Sequence, residues 1–184
     1  MRRGLTPAAV ADTAGRLADR DGFDALTLGA VAAELGVRTP SLYNHVDGLP
    51  GLRRALALRG LRELGEAIRD AAVGRAGDEA VIALADAYRA YARRRPGLYA
   101  ALQRAPEPGD ADVAEAGERL LAPVFAALRG RGLEGDAVIH AARALRSAMH
   151  GFVDLERMGG FGIDLDLDES YRRTVAAVAS GLRG

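Results

Sequence analysis

The sequence predicts an all-α fold of about nine helices. Three observations lead there. Ala-rich segments with apolar residues three or four apart recur along the 184 residues, the spacing of one helix face. Period-two alternation and clusters of β-branched residues, the marks of strands, are nearly absent. Gly, Pro and Asp punctuate the chain at intervals suited to helix starts and stops.

Thr6-Pro7 opens the first helix. Threonine is a capping residue, and proline at the first helical position loses nothing because its N–H would have no intrahelical partner. The apolar face runs through Val10, Ala14 and Leu17, and Asp21-Gly22 ends it. Thr27 caps a short second helix to Leu35, which Gly36 closes. Thr39-Pro40 repeats the start signal and opens a third helix to about His45. A longer helix follows from Gly48 or Pro50 to about Val73, then a break over 74–77 and a helix from Asp78 to Arg95. Pro96 starts a short helix to Arg104, and residues 105–110, APEPGD, read as a loop. Helices over about 112–130 and 135–158, a loop at 159–162 and a last helix from Asp168 to Leu182 complete the chain. This divides it into a three-helix head, residues 1–47, and a helical body, residues 48–184, joined by the fourth helix.

Composition narrows the function. With 49% hydrophobic and 27% charged residues, the chain is a folded globular protein rather than a disordered one. The absence of cysteine excludes disulfides, thiol nucleophiles and cysteine-based zinc sites, and fits a reducing compartment. The longest charge-free stretches are nine residues, against about 20 for a membrane span. The opening MRRGLTPAAVADTAG lacks the basic-then-apolar order of a signal peptide. A cytoplasmic protein with no membrane partner is expected. All 25 basic residues are arginine, which looks like the coding bias of a GC-rich genome. The net charge is zero, so charge alone does not mark a nucleic-acid binder.

The informative stretch is residues 26–52, LTLGAVAAELGVRTPSLYNHVDGLPGL. Two short helices meet at Gly36-Val37-Arg38. Helices of this length are marginal alone, so packing must hold them, here through Leu28, Val31, Leu35, Val37, Leu42 and Val46. Ala32 is small where the two would approach closely. This is the layout of a helix-turn-helix, whose second helix enters the major groove. Setting the apolar positions aside leaves Arg38, Thr39, Pro40, Ser41, Tyr43, Asn44 and His45. Asparagine can bond an adenine edge through two contacts, arginine suits guanine, and hydroxyls reach phosphates or bases. The same residues also allow a plainer arrangement, with Thr39 and Ser41 capping the helix and Tyr43 packed in the core.

The head resembles the DNA-binding domain of the TetR family of bacterial transcriptional regulators. The resemblance runs from Val10 to Leu52 through Gly22, Leu26-Thr27, Val31-Ala32, Leu35-Gly36-Val37 and Leu42-Tyr43-Asn44-His45. It implies that Thr27 holds a phosphate, that Arg38, Thr39, Pro40, Ser41 and Asn44 face the major groove, and that Tyr43 and His45 grip the DNA backbone. Leu49 departs from the pattern, since many members carry a lysine phosphate clamp there; Arg53, or Arg2 and Arg3, would have to substitute.

Beyond residue 65 the likeness is looser. Ala148-Met149-His150-Gly151-Phe152, with Glu156 and Gly159-Gly160-Phe161-Gly162, is similar to a TetR subgroup whose effector domain carries a His-Gly signature. The resemblance implies a body that binds a small-molecule effector and forms a homodimer through the last two long helices. It also implies a repressor that binds a palindromic double-stranded operator and is released by its effector. Gly151 fits a close approach between helices. Tyr88, Tyr91, Tyr99, Leu102, Gln103, Phe125, Met149, His150 and Phe152 are the candidate effector contacts, because apolar walls with a few polar groups make such a cavity. An aromatic stripe of this kind is more often core than pocket.

No cofactor, metal or catalytic residue is expected. Residues 130–135 match G-x-G-x-x-G, but the dinucleotide motif needs a strand before it and a helix is expected there. Asp164, Asp166, Asp168 and Glu169 lack the turn glycine and bidentate glutamate of a calcium loop, and fit a helix cap instead. His45, His140 and His150 have no ligand spacing. No nucleophile elbow or set-apart carboxylate pair supports an enzyme.

Overall fold

The computed structural model describes residues 5–104 and 108–182. Eight α-helices and one 3-10 helix make up its regular structure, with no strand among the described residues: α1 Pro7–Asp21, α2 Leu28–Leu35, the 3-10 helix Thr39–Asn44, α3 Gly48–Ala72, α4 Gly77–Arg94, α5 Pro96–Leu102, α6 Ala111–Arg129, α7 Asp136–Arg157 and α8 Leu167–Gly181. Arg2 and Arg3, and residues 105–107 of the expected loop, lie outside the described residues.

The start signals act as their chemistry dictates. The Thr6 hydroxyl accepts from the Ala9 N–H at 3.1 Å, and the Thr27 hydroxyl from the Ala30 N–H at 3.1 Å. Gly36 ends α2 with φ of +66°, a left-handed conformation that costs glycine little. The third helix differs from the α-helix the sequence suggests. Ser41 N–H donates to the Arg38 carbonyl at 2.9 Å and His45 N–H to Leu42 at 2.8 Å, which are i to i+3 bonds. Six residues hold few i to i+4 bonds in any case, so the tighter ladder costs little here. Its N-cap is Arg38, with no side-chain bond, so Thr39 sits one position further in than its pairing with Pro40 implies.

The chain forms two compact units, one within Met1–Glu63 and Ala92–Ala116, the other within Leu64–Tyr91 and Gly117–Gly184. In the first, Val10, Ala14 and Leu17 of α1 are buried along the expected face. Helix α5 packs on α1 so closely that a Cβ on Gly97 would overlap the Ala18 carbonyl. The Asp19 carboxylate accepts from the Gly97 N–H at 2.8 Å and the Leu98 N–H at 3.3 Å. It thereby caps a helix 78 residues further along the chain. Arg95 binds Asp19 at 2.7 Å and Glu63 at 3.0 Å, which ties α5 to both α1 and α3.

The second unit is organised around the α7–α8 hairpin. Leu145, Val153, Tyr171 and Val175 are nearly inaccessible. Arg89 of α4, also buried, donates to Glu156 at 2.6 and 2.9 Å and pairs with Asp168 at 2.8 Å. Its guanidinium lies 4.9 Å from the Tyr171 ring centre and 5.5 Å from that of Phe152. The hydrogen bond that Arg89 donates to Glu156 raises the Arg89 pKa further, so the cation is permanent. Tyr171 O–H donates to the Ala85 carbonyl at 2.6 Å, and burial raises its phenol well above the ordinary value.

Candidate nucleic-acid interface

The turn between α2 and the 3-10 helix is fixed by backbone bonds: Gly36 N–H to Ala33 at 3.1 Å and Val37 N–H to Ala32 at 3.0 Å. Val31, Ala32 and Leu42 form its buried centre. A 3-10 helix repeats every three residues, so Thr39, Leu42 and His45 share one line. Leu42 is the fully buried member of that line; Thr39 and His45 are half-buried and keep part of their surface open to solvent. The other two lines turn outward. Arg38, Pro40, Tyr43 and Asn44 are exposed and Ser41 is half-buried. Tyr43 is 60% exposed, so it is not packed in the core, and no side chain caps the helix start. The short element thus presents a guanidinium, a phenol, a hydroxyl and a carboxamide from one buried leucine anchor.

Thr27 stands exposed at the N-terminus of α2. Its hydroxyl oxygen accepts from Ala30, leaving its O–H able to donate, and the helix end adds positive potential. Leu49 is half-buried near the start of α3. The Arg53 guanidinium lies over the Phe23 ring at 5.5 Å, with Arg104 over the same ring at 5.3 Å. Arg54 is held by Asp110 at 2.6 Å and Asp112 at 2.8 Å. Its hydrogen bond keeps the Asp110 carboxyl below the usual carboxylate range.

The candidate effector contacts fall in both units. Tyr88, Tyr91, Met149 and Phe152 are buried in the second, where Phe125 and His150 are half-buried. Tyr99, buried, and Gln103, half-buried, belong to the first, as does half-buried Leu102. Phe152 is engaged in packing, with its ring 4.7 Å from Phe161 and 5.1 Å from Tyr171. A groove of about 340 Å3 in the second unit is bordered by none of these residues. Sequence reasoning missed it because alanine and glycine walls carry no motif.

The outer face of α7 carries exposed Ala144, Ser147 and Gly151, and that of α8 exposed Ala176, Ala177 and Ser180. A Cβ on Gly151 would meet nothing within 4 Å, so none of the described residues of this chain packs on it. Exposed large apolar side chains also lie along α7 and the loop after it: Ile139, Leu155, Met158, Ile163 and Leu165. The G-x-G-x-x-G stretch at 130–135 and the acidic stretch at 164–169 both have structural roles. Arg131, within 130–135, pairs with Asp78 and donates to the Ala179 carbonyl near the end of α8. The Asp166 carboxylate caps α8 by accepting from the Asp168 and Glu169 N–H groups. Among the described residues no helix is long and apolar enough to cross a membrane.

Comparison with known proteins agrees on one class. The family described as tetracyclin repressor-like, C-terminal domain, matches residues 81–178. The chain is 44% identical over 165 residues to the HTH-type transcriptional regulator Rv0681 of Mycobacterium tuberculosis, covering 89% of this chain and 75% of the relative. It is 36% identical over 183 residues to the HTH-type transcriptional regulator YobS of Bacillus subtilis, covering 98% and 94%. The solved structure of the TetR family transcriptional regulator PfmR from Thermus thermophilus shares the fold, with a TM-score of 0.71, 18% identity and coverage of 95% and 99%.

Proposed function

The chain belongs to the TetR family of HTH-type transcriptional regulators, and from that premise we propose that it is a homodimeric, effector-released repressor acting in the cytoplasm. Residues 1–47 form its DNA-binding part and residues 48–184 its effector-binding and dimerising part. Each protomer lays its 3-10 helix in the major groove of one half of a palindromic operator. Half-sites spaced by a helical turn, or a multiple, match the two-fold axis of a dimer. Asn44 and Arg38 read base edges, Thr39, Pro40 and Ser41 line the groove floor, and Thr27, Tyr43 and His45 hold phosphates.

One observation carries this reading: Leu42 is fully buried while Tyr43 is 60% exposed, with Asn44 exposed beside it. A hydrophobic anchor flanked by solvent-facing hydrogen-bonding groups suits the floor of a polar groove. The exposed small and apolar side chains of α7 and α8 support a dimer through these helices, because a second copy can bury them. An effector shifts the dimer to a form whose heads are wrongly spaced. A hundredfold loss of operator affinity needs the effector to favour that form by about 2.8 kcal/mol.

The test is a footprint on the DNA flanking the chain's own gene, repeated with a panel of small molecules. The reading expects a symmetric protected site that at least one compound removes. An unprotected flank, or binding with no dependence on salt, overturns it.

A further inference from the structure

The end of α3, the start of α4 and the C-terminal half of α6 border a groove of about 340 Å3, within the roughly 300–1,000 Å3 typical of small-molecule sites. On α6, Pro123, Ala126 and Ala127 line it, followed by Gly130 just past the helix end. Their i, i+3, i+4, i+7 spacing is one helical face. These side chains are too short to fill the space beside them, whereas elsewhere in the same unit Leu84, Tyr88 and Leu128 fill theirs.

The polar side chains on the groove are two cations, Arg69 and Arg75, and no carboxylate borders it. Arg69 meets Asp70 at 3.9 Å and Arg75 meets Glu79 at 3.5 Å, with both acids at least three-quarters exposed, at 78% and 75%. Arg75 also donates to the Ala71 carbonyl at 2.7 Å. Such long, exposed pairs hold their partners weakly, so both guanidinium groups are able to turn to an anion lying on the apolar floor. Val73 on that floor is 72% exposed.

We propose that this groove binds an amphipathic anion, with its apolar body on the alanine, proline and valine floor and its one anionic group between Arg69 and Arg75. A neutral apolar molecule gains only the floor, and a cation meets two like charges. The inference rests on the reading of the C-terminal unit as effector-binding, and it places the effector's chemistry there.

The test uses the full-length chain and four probes. Anilinonaphthalene sulfonate, a fluorescent apolar anion, reports occupancy; decanoate, decanol and decylamine share a chain length and differ in charge. Decanoate is expected to displace the dye at tenfold lower concentration than decanol or decylamine. Arg69→Gln/Arg75→Gln weakens decanoate at least tenfold, and Ala126→Phe, at an exposed position, blocks the groove with melting unchanged. Equal displacement by all three ten-carbon probes, decanoate binding within twofold in the double variant, or no dye binding to the parent chain would overturn the proposal. DNA release separates the two readings. If decanoate occupies the groove and operator binding is indifferent to every anion, the groove stands and the effector reading fails. If another compound releases the DNA equally from parent and double variant, the placement of the effector in this groove is overturned and the effector reading stands.

Discussion

The 3-10 segment of the head and the α7–α8 hairpin both turn side chains to solvent, but of opposite kinds. The first is six residues long and, with its N-cap Arg38, exposes a guanidinium, a phenol and a carboxamide around one buried leucine. The second runs over two long helices and exposes alanine, serine and glycine beside Arg143, Arg146, Arg172 and Arg173, with Ile139, Met158 and Ile163 towards its ends. Polar groups on a short rigid element suit a partner that offers hydrogen bonds and phosphates. Small and apolar surface on long helices suits another protein surface. The comparison teaches that exposure acquires functional meaning only with the chemistry of what is exposed.

The largest expected effect tests the hairpin's support. Arg89→Ala takes from Glu156, whose side chain is 11% exposed, its bidentate partner and should cost about 3–5 kcal/mol, read as a lower urea midpoint. A loss under about 1 kcal/mol, the scale of an exposed pair, would mean that the hairpin does not depend on it. Leu42→Ala should cost about 2–5 kcal/mol and abolish DNA binding. Tyr43→Phe, at an exposed position, should leave the melting curve unmoved; equal destabilisation by both changes would erase the inward and outward lines. Gly151→Leu projects a side chain into open space, so it should fold as the parent does while light scattering shows monomers. A stable dimer of this variant would move the interface elsewhere.

Much of the head is legible in sequence because its signals are local. Thr6 with Pro7, Thr27 and Gly36 act within three or four residues of themselves, and each caps or closes its helix where the pattern places it. The 3-10 geometry is not legible, because the choice between i+3 and i+4 bonding depends on how Leu42 seats against its neighbours. Nor is the seat of α5. Pro96-Gly97 reads as a helix start like any other, and only the tertiary structure sets Gly97 against Ala18 and brings Asp19 to cap it. In the body, buried tyrosines look the same in a core and in a pocket wall. The groove beside Arg69 and Arg75 arises from missing volume, which an alanine-rich sequence conceals.

The smallest effect concerns acid. Arg54 lowers the Asp110 pKa in the folded chain, so this pair stabilises the fold above the unfolded carboxyl pKa. That contribution is lost as pH falls through the lowered folded value. Asp110→Asn should therefore lose less stability on acidification than the parent in denaturant titrations from neutral pH downward. Parallel acid limbs would show that the pair contributes nothing.

The most direct test of the reading head is Asn44→Ala on the protected DNA site and on single-base variants of it. Operator affinity should fall and preference at one A·T position should relax by about 1–3 kcal/mol, with unfolding unchanged and non-specific binding retained. If Asn44→Ala and Tyr43→Phe both keep the parent's affinity and base preferences, the 3-10 helix does not read DNA.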